Sequence, residues 1–85
     1  MRHLVNVERS SPKPGYTALY LSYVKNRKVA RTIEVTPTCS IAIDIDAEGV
    51  LQGIELLNPG GYELELLTKL AHEHDLSLDG LFAFA

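Results

Sequence analysis

The residues of this chain that could do chemistry crowd into one acidic stretch. Asp44, Asp46, Glu48, Gly49 and Glu55 fall where a calcium-binding EF-hand loop carries its first, third, fifth, sixth and twelfth residues. Oxygens at that spacing can surround a hard cation. With Glu34 added, such a cluster could hold a divalent ion and position a water for hydrolysis. An EF-hand, however, needs a helix on each side of the loop. Upstream, Thr36 to Ile43 alternates like a strand and contains Pro37; downstream, Gly53 sits inside the would-be exit helix and Pro59 soon follows. The pattern instead predicts a β-hairpin that turns at Ala47-Glu48-Gly49, with Gly49 at positive φ and with Asp44 and Asp46 on the solvent face. Asp44, Asp46, Glu48 and Glu55 therefore stand only as candidates for a weak cation site at an acidic tip, and no resident metal or cofactor is expected.

The other reactive side chains read as structural. His72 and His74 lie two residues apart, which on a helix points them ~200° apart around the axis, so they cannot share an ion. His72 reads as solvated, and His74 as a residue of the helix C-terminus, where positive charge is favoured. Cys39 falls in phase with Ile41, Ile43 and Ile45 and is expected as a buried, inert thiol. Lys25, Asn26, Arg27 and Lys28, following Tyr16, Tyr20 and Tyr23, resemble a single-strand nucleic-acid surface, but the patch is short and reads as a solvated hairpin tip. Gly60-Gly61 could bind an anion at a helix start, although two glycines there more often let the chain turn. There is no nucleophile elbow, phosphate loop or dinucleotide fingerprint.

The elements that must carry these residues follow from hydrophobic period. His3, Val5 and Val7 share a face of a first strand. Leu19, Leu21 and Tyr23 share another, with Tyr16, Ala18 and Tyr20 opposite; both faces are fairly apolar, as in a central strand. Val29, Ile33 and Val35, interrupted by Arg31, form a third; Cys39, Ile41, Ile43 and Ile45 a fourth; Val50, Ile54 and Leu56 a fifth. After Asn58 the period changes. Asn58 is expected as N-cap and Pro59 in the first turn of a helix over 59–75. Leu64, Leu66, Leu67, Leu70, Ala71 and His74 fall in one arc of that helix, facing the sheet. The predicted fold is α+β: an antiparallel meander of about five short strands with one C-terminal amphipathic helix packed on a sheet face. The apolar tail 76–85, with Leu81, Phe82 and Phe84, either covers its own sheet or meets a second subunit.

Eighty-five residues make one domain, and 46% apolar with 22% charged residues is an ordinary globular balance. A net charge of −3 disfavours a dedicated nucleic-acid binder. One cysteine cannot form an internal disulfide, and no apolar run approaches the length of a signal or bilayer-spanning segment, so a cytoplasmic protein is expected.

Three pieces occur in order: A-L-Y-L at Ala18 to Leu21, V-A-R-T-I-E-V at Val29 to Val35, and D-I-D-A-E-G-V-L-Q-G-I-E-L-L at Asp44 to Leu57. On these pieces Tyr16 to Leu57 resembles a bacterial and archaeal family of small proteins, domain of unknown function twenty-two eighty-three. The resemblance implies a small β-rich core at 16–57 and no catalytic residues. Thr17 stands where that family usually carries an acid. Some members sit beside toxin-like genes, so the resemblance also allows an antitoxin-like partner role. The expected function is a non-enzymatic interaction module forming a homodimer, with Leu81, Phe82 and Phe84 as interface candidates. The alternative is a small-ligand or divalent-metal domain with weak hydrolytic activity on the face of Glu34, Asp44, Asp46 and Glu55.

Overall fold

The computed structural model describes residues 1–81. Five strands and one helix form a two-layer α+β fold: β1 (Asn6–Ser10), β2 (Ala18–Ser22), β3 (Arg31–Glu34), β4 (Ile41–Ile45), β5 (Leu51–Leu57) and α1 (Gly61–Glu73). All strand pairs are antiparallel, in the order β1-β2-β5-β4-β3.

That order corrects the expected meander. β3, β4 and β5 follow one another through hairpins, but β5 returns beside β2, so β2 and β3 are not neighbours. This is the four-strand arrangement of a Greek key. The segment 23–30 is therefore a crossover along the end of the sheet, and Lys25 to Lys28 is not a hairpin tip. Gln52, a buried polar residue, fastens the crossover. Its carbonyl accepts the Tyr23 amide at 3.0 Å, and its side-chain oxygen accepts the Lys28 amide at 3.3 Å.

One apolar row runs across the sheet on the helix side. The register places Val7 opposite Leu21, Leu21 opposite Ile54, Ile54 opposite Ile43, and Ile43 opposite Ile33. Leu67, Leu70 and Ala71 of α1 join that core, as the helical arc predicts, with Leu66 packed at its margin. Leu64 departs from the arc and is exposed, near the helix start.

Two phase errors have local causes. Val5 and His3 are exposed while Val7 is buried, because the regular strand begins only at Asn6. In β5 the expected inward residue Val50 is exposed and Leu51 is buried. A register shift at Asp44/Ile45 pairs Asp44 with Gly53 but Ile45 with Leu51, leaving Gln52 as the extra residue. Such a bulge reverses the side-chain phase on one side of it.

The helix begins later than expected. Asn58 takes φ +44° and seals the β2–β5 ladder: its amide donates to the Thr17 carbonyl and its side-chain oxygen accepts the Thr17 amide, both at 2.8 Å. Gly60 is the N-cap instead, and its amide donates to the Glu63 carboxylate at 2.8 Å. The helix ends at Glu73, with His74 as C-cap.

After the helix the chain turns back on itself. Arg2 and Leu76 form a parallel bridge, the Ser77 amide donates to the Arg2 carbonyl at 2.7 Å, and the buried Tyr23 hydroxyl donates to the Ser77 carbonyl at 3.0 Å. Leu76 and Leu81 belong to the core cluster. Leu81, expected at an interface, is thus part of its own subunit's interior; Phe82 and Phe84 lie outside the described residues.

Candidate functional site

The sheet face away from α1 carries a polar cluster that links three strands. Asp44 on β4 stands at its centre. Its Oδ2 accepts the Tyr20 hydroxyl and its Oδ1 accepts the Thr32 hydroxyl, each at 2.5 Å. Thr32 is directly opposite Asp44 on β3, as the register dictates. Tyr20 is two strands away on β2 and must cross β5 to arrive. It does so over Gly53, where an added Cβ would collide with the Tyr20 hydroxyl and ring carbons. Glycine inside a strand often marks such a close approach. The Arg27 guanidinium covers the Tyr20 ring at 4.3 Å, tying the crossover to the sheet. Burial and the hydrogen bond to Asp44 hold the Tyr20 phenol at a pKa of about 12; Arg27 opposes that rise.

The calcium-loop residues do not converge. Asp46 serves its own turn: its Oδ1 accepts the Glu48 amide at 2.8 Å and the Val50 amide at 2.9 Å, while Gly49 adopts φ +83°. That is an aspartate-closed hairpin turn. Glu48 is exposed at the tip. Glu55 lies on the open face between Tyr20 and Ala42, and Glu34 one strand further out opposite Ala42. Among the described residues no three His, Cys, Asp or Glu side chains meet where one metal ion could touch them. The stretch thus folds as two facing strands that put isoleucines inward and acids outward.

Cys39 is not on the isoleucine face. It is exposed, with φ +58°, in the turn between β3 and β4, because Thr36 takes over that bend. The Thr36 hydroxyl accepts the Ser40 and Ile41 amides at 2.8 and 3.2 Å. Ser40 in turn donates to Glu63 at 3.3 Å, latching the turn to the helix start. The Gly60 amide, with help from Ser40, holds the Glu63 carboxyl below its ordinary range. The Gly60-Gly61 segment, considered for anion binding, thus already meets a carboxylate from its own chain. His3 and His72 are exposed and His74 is half-buried at the helix end.

Between the helix start and the β2–β5 surface lies an apolar hollow of ≈ 210 Å³, lined by Leu19, Leu56, Pro59, Leu64 and Leu81 among others. That is below the ~300–1,000 Å³ usual for small-molecule sites. Tyr20, Gly53, Arg27 and Gln52 are the linchpins that sequence periodicity does not single out. Of these, Gly53 alone carries a local signal, as a glycine within a strand pattern.

Comparisons with family models, with curated proteins and with solved structures return no match to this chain.

Proposed function

We propose that this chain is a non-enzymatic interaction module of the cytoplasm that works by binding protein, first of all a second copy of itself. The observation that carries the reading is the state of the sheet margin. Among the described residues β3 pairs on one side only, every one of its residues is exposed, and Ile33 and nearby Val29 present apolar side chains to solvent. An unpaired strand edge is a ready template for another chain. The acids favour the same reading by their engagement. Both oxygens of Asp44 take hydroxyls from its own sheet and one oxygen of Asp46 closes its own turn, so these two acids are engaged in holding the fold. Within this reading a toxin-like protein is one heterologous partner to test.

Light scattering or sedimentation across micromolar to millimolar concentration tests the proposal. It expects molar mass to rise from that of one chain toward that of two. A mass fixed at one chain throughout the series would refute self-association.

A further inference from the structure

We propose that the second copy adds at β3, antiparallel, about a two-fold axis normal to the sheet, with Ile33 facing Ile33 of the second copy. The inference rests on the self-association reading and specifies its surface.

The apolar row Val7–Leu21–Ile54–Ile43–Ile33 crosses all five strands. Its first four members are buried; Ile33, at the margin, is 38% exposed. The row is closed at the β1 end, where Val7 is covered, and open at the β3 end. A second sheet in line would continue it as Ile33, Ile43, Ile54, Leu21 and Val7 of the other copy.

Backbone geometry fits. The Val35 amide donates inward to the Ile41 carbonyl, so by alternation the amides and carbonyls of Thr32 and Glu34 point outward. A two-fold axis normal to the sheet sets residues of the same face against each other. Centred on Ile33, it places Thr32 opposite Glu34 and Arg31 opposite Val35. The outward groups of Thr32 and Glu34 then bond to each other, and Ile33 meets Ile33 in the closer, non-hydrogen-bonded pair. No like charges stand directly opposite.

The other margin fits less well. Centring β1 on Glu8 sets Glu8 against Glu8 and centring it on Arg9 sets Arg9 against Arg9; of the three central positions only Val7 avoids like charges. Val7 has no exposed apolar surface left to contribute.

Four residues a side bury far less than the ~1,200 Å² of a standard stable interface, so the association is weak and concentration-dependent. Sedimentation on the full chain, wild type against Glu34→Pro and Ile33→Lys, tests the surface. Proline at Glu34 removes an outward amide and no ladder bond, a position where strand edges tolerate it. Lysine at the half-exposed Ile33 blocks the apolar contact and leaves the backbone alone. Each variant is expected to weaken association at least tenfold while keeping the far-UV spectrum of the monomer. Amide exchange supplies a readout without mutation: Thr32 and Glu34 amides become protected in concentrated wild-type samples and not in dilute ones. If wild type associates and neither the variants nor these amides respond, the β3 surface is wrong while self-association stands. If wild type never associates, both fail. If Glu34→Pro does not fold, Ile33→Lys and the amide exchange decide.

Discussion

Tyr20 reaches Asp44 only because Gly53, on the strand between them, has no side chain. The phenol passes over the glycine, and the 2.5 Å hydrogen bond to Asp44 fixes it there with Arg27 above the ring. One missing methyl thus joins β2, β4 and the crossover across β5.

Gly53→Ala is expected to destabilise the protein by about 1–3 kcal/mol, the usual cost of forcing an extra carbon into a packed place. The ring could swing away, but only by giving up Asp44 and Arg27. A double-mutant cycle with Tyr20→Ala checks the cause: in that background the penalty should largely disappear. An equal loss of thermal stability in both backgrounds would mean that the strain lies in the Gly53 backbone and not in the approach of Tyr20.

The same contact sets a pH dependence. The Tyr20 phenol titrates near 12 in the folded chain against 10.0 ordinarily. Below pH 10 both states hold the proton and the contribution is complete. Above it the unfolded chain releases the proton first, so stability falls as pH rises from 10 toward 12. Burial also raises the Tyr23 phenol, so part of the alkaline decline belongs to it. Tyr20→Phe should flatten the decline measured by thermal melts, and Asp44→Asn should move the Tyr20 phenolate absorbance to lower pH. Because burial is the largest cause for Tyr20, Asp44→Asn should not restore the ordinary value. An unchanged phenolate titration in Asp44→Asn would contradict the role of the hydrogen bond.

How far the sequence carried these features depends on their range. Alternation in Ile41, Ile43 and Ile45 and the arc of Leu67, Leu70 and Ala71 are local signals, and those elements stand where periodicity puts them. Strand order is non-local. Nothing within 23–30 marks it as a crossover, since the Gln52 side chain and carbonyl that hold it come from β5. Val50 departs from the inward phase because one bulge residue reverses it. Cys39 leaves the isoleucine phase because Thr36 captures two amides and bends the chain out of strand before Ile41. The acids were legible as solvent-facing; that Asp44 would be occupied by Tyr20 required knowing that β2 lies beside β5.

The turn role of Asp46 separates a structural acid from a ligand. Asp46→Ala deprives the Glu48 and Val50 amides of their acceptor and should cost about 1 kcal/mol, typical of an exposed side-chain-to-backbone bond. Millimolar Ca²⁺, Mg²⁺ or Mn²⁺ should leave the melting temperature of wild type unmoved. A saturable rise with any of them, abolished in Asp44→Asn, would instead restore a cation site on this face.

Leu81 distinguishes a tail that completes its own core from one that joins subunits. It is 7% exposed and packs in the same cluster as Leu56 and Leu67, past a chain reversal held by the Arg2–Leu76 bridge. Leu81→Ala should therefore lower stability by about 2 kcal/mol, the low end for a buried leucine. The loss should appear fully in dilute samples, where only single chains are present, and the association constant should stay close to wild type. An interface residue would behave in the opposite way, sparing the dilute melt and weakening association. Melting curves and sedimentation on the same two proteins separate these outcomes. Normal dilute stability with lost association would return Leu81 to the interface and remove the tail from the core.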